Sequence, residues 1–188
     1  MNCTPATGFI TASNLATYAT TSYGVQINNA IYANKTVSVK AINNGGNAAV
    51  YMVATTTSTN GDINMTATGT TSWVVTNWNG SDYANAALKA NNGNINLTSS
   101  ATTGNGIVLG STTNGLLSAK NINVTGTTQS GNYATYVANL TILADGGDLV
   151  VSGTNVTNGA AANSGIYQNG AITINGSGSN LSFISNGA

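Results

Sequence analysis

The sequence predicts an all-β chain wound as a right-handed parallel β-helix, a β-solenoid with three short strands per coil. Three observations lead there. A short apolar strand returns seven times at near-constant spacing, two further strands fit between successive copies, and the side chains that stabilise exposed helices are nearly absent.

The recurring first strand reads Gly8-Phe9-Ile10-Thr11, Thr36-Val37-Ser38-Val39, Asp62-Ile63-Asn64-Met65, Asn94-Ile95-Asn96-Leu97, Asn121-Ile122-Asn123-Val124, Asp148-Leu149-Val150-Val151 and Asn180-Leu181-Ser182-Phe183. Counted from the first apolar residue of each copy, the steps are 28, 26, 32, 27, 27 and 32. Within a copy the pattern alternates. Ile63 and Met65, Ile95 and Leu97, and Ile122 and Val124 share one face, while Asn64, Asn96 and Asn123 take the other. That is the period of two expected of a strand.

A second strand, often opening on a small residue, is predicted at Gly24–Ile27, Ala49–Met52, Trp73–Val75, Gly106–Leu109, Ala134–Val137 and Gly165–Tyr167. A third, ending in Ala and a polar turn, is predicted at Ala30–Asn34, Ala87–Asn91, Leu116–Lys120 and Thr141–Asp145. Ala171–Ile174 fits that pattern less well, and the coil after Val50 offers only a weak candidate around Val53. Three strands in about 27 residues give about six coils. At the ~4.8 Å spacing of paired strands they make a rod roughly 29 Å long.

The two 32-residue steps have local causes. One coil lengthens through Asn77-Trp78-Asn79-Gly80-Ser81-Asp82-Tyr83, the other through Asn158-Gly159-Ala160-Ala161-Ala162-Asn163. Corner insertions of this kind are tolerated because a longer loop adds little closure entropy. The chain, residues 1–188, therefore reads as a single solenoid segment. Nothing at either end reads as a polar capping repeat. The expectation is an excerpt of a longer rod, with Met1 an added start and the rest of the parent chain stacked at both ends.

Composition narrows the function. Four Lys, four Asp and no Arg, Glu or His leave 4% of residues charged, where an ordinary domain carries about 25%. A net charge of zero argues against nucleic acid, which calls for a basic patch. No run of 18 apolar residues is present, so no transmembrane helix is expected. The one cysteine, Cys3, has no partner within the chain for a disulfide.

The strands Gly-Asn-Ile-Asn-Leu-Thr (93–98) and Lys-Asn-Ile-Asn-Val-Thr (120–125), with Gly-Ile-Val-Leu (106–109) and Leu-Leu-Ser-Ala (116–119), resemble the repeats of filamentous-haemagglutinin-like adhesins. The resemblance spans nearly the whole chain. It implies a right-handed β-helix exported by two-partner or related secretion to the cell surface, serving as a stalk or receptor-binding rod. A glycan or protein receptor on a host cell or in the environment would then be the partner. It carries no catalytic motif, and no cofactor is expected.

Enzymatic chemistry finds little to work with. Glycoside hydrolysis needs two carboxylates about 5 to 9.5 Å apart. The carboxylates are Asp62, Asp82, Asp145 and Asp148, of which three flank strands at turns, where Asp is expected for turn geometry. Asp145 and Asp148 could face one calcium ion, but such sites take six to eight oxygens, so a polar corner is the preferred reading and no metal is expected. Asn64, Asn96 and Asn123 each open an Asn-x-Ser/Thr triplet on the outward face and are candidate glycosylation sites. The frequency of Asn and Thr makes such triplets common by composition.

Trp78, Asn79, Asp82 and Tyr83, in the longest corner insertion, form the candidate ligand loop: rings cover sugar faces while amides and carboxylates take hydroxyls. The competing reading folds both rings back over the adjoining sheet with Trp73. A carbohydrate-binding β-helix using this loop is the alternative function. An ice-binding array of threonines is a third, disfavoured because the Thr residues drift in position from coil to coil.

Overall fold

Alternating apolar residues in strands too short to bury themselves must find cover above and below. The computed structural model, which describes residues 2–3, 8–14, 23–45, 48–70, 74–76, 87–110, 115–130, 133–144, 146–156, 164–176 and 180–187, supplies that cover by stacking parallel strands into three sheets. No helix occurs among the described residues.

Strands are numbered in chain order. The long sheet joins β2 (Gly8–Asn14), β5 (Val37–Asn43), β8 (Ile63–Gly69), β11 (Ile95–Ala101), β14 (Ile122–Thr128), β17 (Leu149–Asn155) and β20 (Leu181–Gly187). The second sheet joins β3 (Val25–Ile27), β6 (Val50–Met52), β9 (Val74–Thr76), β12 (Ile107–Leu109), β15 (Tyr133–Val137) and β18 (Ser164–Gln168). The third joins β1 (Asn2–Cys3), β4 (Ile31–Ala33), β7 (Thr56–Ser58), β10 (Ala87–Ala90), β13 (Gly115–Ala119), β16 (Leu140–Ala144) and β19 (Ile172–Asn175). Every pairing is parallel, and each strand pairs with its equivalent one coil away, the arrangement of a β-solenoid.

The core fills the space between the sheets. Ile63, Ile95, Ile122 and Leu149 stand at one level of the long sheet, Met65, Leu97, Val124 and Val151 at the next, all of them buried. Leu88, Leu117 and Ile142 close the core from the third sheet, Met52, Ile107 and Leu109 from the second.

The first strands run seven residues, nearly twice the length the apolar pattern marks, because their inward residues shrink where the long sheet turns toward the second. At the fifth position stand Ala41, Ala67, Ser99, Gly126 and Gly153. A Cβ at Gly126 would overlap the Ala134 carbonyl oxygen, and one at Gly153 the Gly165 carbonyl oxygen. At Gly126 and Gly153 the backbones of the two sheets approach too closely for any side chain.

Three strand expectations need correction. The first coil steps by 29 residues, not 28, since Gly8 pairs with Val37 and Ile10 with Val39. Phe9, the first apolar residue, falls opposite Ser38 instead. In the coil after Val50, the third strand lies at Thr56–Ser58, beyond the weak candidate at Val53. Thr56 and Ser58 point inward and are buried, yet both are satisfied: Thr56 Oγ1 donates to Met52 Sδ at 3.6 Å, and Ser58 Oγ lies 2.8 Å from the carbonyls of both Lys35 and Gly61. Cys3 joins a strand that the pattern did not mark, paired with Ala33.

The tight corner gives a first prediction. Gly126→Val lowers stability by about 1–3 kcal/mol through overpacking, read as a lower urea midpoint with an unchanged slope. Ala67→Gly, at the same position two rungs away, costs about 0.5–1 kcal/mol. Equal losses at the two sites would contradict the close approach at Gly126.

Candidate functional site

In-register stacking brings each outward side chain against its equivalents, so the candidate surfaces are columns rather than clefts. Three of these columns are asparagine ladders. On the outer face of the long sheet, Asn123 Nδ2 donates to Asn96 Oδ1 at 3.0 Å, and Asn96 Nδ2 to Asn64 Oδ1 at 2.8 Å. These are the three candidate glycosylation residues. Each ladder bond uses one of the two hydrogens on the Asn96 and Asn123 amide nitrogens.

The second ladder runs along the corner before each first strand. Asn94 donates to Asp62 Oδ1 through its backbone N–H (2.8 Å) and its side chain (3.3 Å). Asn121 Nδ2 donates to Asn94 Oδ1 at 2.8 Å, the Asp148 N–H to Asn121 Oδ1 at 2.9 Å, and Asn180 Nδ2 to Asp148 Oδ1 at 2.9 Å. An ionised carboxylate only accepts, so at Asp148 the backbone supplies the donor that an Asn side chain supplies elsewhere. The third ladder is shorter and exposed: Asn92 Nδ2 to Asn60 Oδ1 at 3.1 Å, and Asn60 Nδ2 to Asn34 Oδ1 at 2.8 Å.

These bonds account for both described carboxylates. Asp62 and Asp148 sit at equivalent corners three rungs apart, which places them about 14 Å from one another at the rung spacing. That exceeds the separation either glycosidase mechanism uses. Asp82 and Asp145 lie outside the described residues, and with Asp145 goes one half of the considered calcium pair. Among the described residues no group of three or more His, Cys, Asp or Glu could hold a metal ion. The ligand loop of Trp78, Asn79, Asp82 and Tyr83 also lies outside the described residues.

The outer faces of the three sheets differ in chemistry. That of the second sheet is aromatic. Tyr51, Val108, Tyr136 and Tyr167 occupy one column, and Tyr51 and Val108 are buried despite pointing away from the main core. Tyr23 stacks on Tyr51 with ring centroids 4.4 Å apart, and Tyr133 on Tyr167 at 4.4 Å. Asn169 Nδ2 donates to the Tyr136 hydroxyl at 2.9 Å. Near-parallel stacking turns one face of each ring toward its partner. The sequence reading missed this column; the recurrence of Tyr in the second strands at Tyr51, Tyr136 and Tyr167 was the available signal.

The outer face of the long sheet is hydroxylic. Thr66, Thr98, Thr125 and Ser152 align in one column, and Thr68, Ser100, Thr127 and Thr154 in the next. The expected drift of Thr from coil to coil is therefore corrected for four consecutive rungs. The third sheet carries a mixed face, with Tyr32 57% exposed.

Searches against family models, curated proteins and solved structures returned no match.

The corner ladder yields a second prediction. Asn94→Ala deletes the acceptor for Asn121 and one donor to Asp62, and is expected to cost about 1–3 kcal/mol. Asn60→Ala, in the exposed ladder, is expected to cost about 0.5 kcal/mol or less. Thermal melting monitored by circular dichroism orders the two, and the reverse order would contradict the corner ladder's structural role. A third prediction concerns metals: saturating calcium and EDTA give the same melting temperature, since a cation bound to the folded state alone would raise it.

Proposed function

We propose that the chain is a non-catalytic structural module of a secreted bacterial surface adhesin, a stiff rod segment that spaces a binding region from the cell. The observation that carries this reading is the unbroken register of the long sheet, in which every strand repeats its neighbour over seven residues. A rod whose strands lie crosswise to its axis, with their hydrogen bonds running along it, is suited to bearing and spacing. Its described carboxylates, Asp62 and Asp148, act as ladder acceptors at separate corners.

The finer architecture follows the same reading. We assign a right-handed winding, because parallel strands joined by a crossover are right-handed in about 98% of cases. About six coils lie along the rod, with the parent chain continuing the stack at both ends. In support, Leu181 and Phe183 pair with the buried Leu149 and Val151 yet are 46% and 43% exposed themselves. They occupy core register and suit a further rung laid over them. The resemblance of residues 93–98 and 120–125 to filamentous-haemagglutinin-like repeats supplies the export and the cell-surface setting, and a glycan or protein receptor is the expected partner of the assembled adhesin.

The test is location. Antiserum raised against the purified chain is expected to label intact cells of the source organism, and protease treatment of those cells to remove the label. Labelling that appears only after lysis would refute the export on which the reading depends.

A further inference from the structure

The two hydroxyl columns on the long sheet form a regular net. Along each strand the pairs Thr66/Thr68, Thr98/Ser100, Thr125/Thr127 and Ser152/Thr154 are separated by one buried inward residue. Spacing along the strand is therefore about 6.6 Å, and spacing between rungs ~4.8 Å. Pairing continues without a shift through all seven residues of β8, β11, β14 and β17, so the net holds its geometry over four rungs.

We propose that this face adsorbs ice. Three features of the net point to a crystalline, uncharged partner. First, no ionisable side chain stands among the eight positions, nor in the adjoining column of Asn64, Asn96 and Asn123; the nearest cation in register is Lys40, one rung before Thr66. An uncharged face complements an uncharged lattice, whereas a charge would hold its own hydration shell against it. Second, Thr is stiff about χ1, so its hydroxyl and methyl repeat in nearly fixed directions from rung to rung. Ser152 Oγ donates to Thr125 Oγ1 at 3.2 Å, within the column. Third, a hydroxyl net holds water at periodic positions. Water drawn from the liquid loses freedom when fixed there, while water in a crystal face has already lost it. The array therefore favours ice over liquid water.

A crystalline polysaccharide also repeats, but sugar recognition draws on aromatic faces beside amides or carboxylates. These two columns have no aromatic residue, and the amides in the adjoining column bond to one another. The proposal does not depend on export or adhesion, since the face belongs to the rod wherever the rod is found.

Thermal hysteresis in a nanolitre osmometer and inhibition of ice recrystallisation test it on the purified chain. The unaltered protein is expected to show measurable hysteresis with faceted crystals and to slow recrystallisation. Thr98→Lys/Thr125→Lys, both at exposed positions, is expected to reduce the inhibitory potency at least tenfold. The milder Thr98→Ala/Thr125→Ala pair serves if the first alters the circular dichroism spectrum, and is expected to lose potency in the same direction. Tyr32→Lys, on the outer face of the third sheet, is expected to keep full potency. Absence of both effects in the unaltered chain would overturn the proposal. So would undiminished potency in both threonine pairs, an equal loss in Tyr32→Lys, or retention on microcrystalline cellulose without any effect on ice.

Discussion

Every feature of this molecule hangs on parallel strands stacking on their own equivalents without slippage. The described strands of a rung direct their backbone hydrogen bonds to the rungs above and below. Val37 N–H reaches the Asp62 carbonyl, Ile63 that of Asn94, Ile95 that of Asn121, Ile122 that of Asp148 and Leu149 that of Asn180, each at 2.9 Å. No coil can close a core by itself, so its Ile, Leu and Val side chains are covered by the same residue types one rung away. A slip of one residue would send that apolar set outward and bring the Asn and Thr set inward. The hydrophobic effect thus fixes the register, and the backbone ladder holds it.

Once the register is fixed, the polar chemistry follows. An asparagine repeated at one corner stands within reach of its copies, and its amide both donates and accepts, so a column of such residues satisfies itself. Asp62 and Asp148 enter the same corner column as acceptors. Tyr rings repeated on the second sheet stack instead, and hydroxyls repeated on the long sheet become a net. The three faces of one rod thereby acquire three different surfaces from one geometric rule.

The sequence revealed the strands whose inward residues are apolar, because alternation of Ile63 and Met65 or Ile95 and Leu97 marks both the strand and its face. It concealed β7, whose inward Thr56 and Ser58 take their partners from Met52, Lys35 and Gly61, contacts that no local pattern records. It misplaced the first rung by one residue, since Phe9 is the first apolar residue of its copy, whereas the pairing sets Gly8 against Val37 and Ile10 against Val39. The hydroxyl columns were hidden for another reason. The 32-residue separation of Thr66 from Thr98 looks like drift when counted along the chain, yet the two strands pair in register. Of the candidate residues, Asn64, Asn96 and Asn123 hydrogen-bond to one another in a single column. Trp78, Asn79, Asp82 and Tyr83 lie outside the described residues.

Register is also the property most open to direct measurement. Scalar couplings across hydrogen bonds, recorded by NMR on chain labelled with nitrogen-15 and carbon-13, connect each donor nitrogen to its acceptor carbonyl. The account predicts couplings from Ile95 to Asn121, from Ile122 to Asp148 and from Leu149 to Asn180. Couplings that join any of these donors to a residue two positions away, or to a strand of opposite direction, would contradict the stacking from which every other feature has been derived.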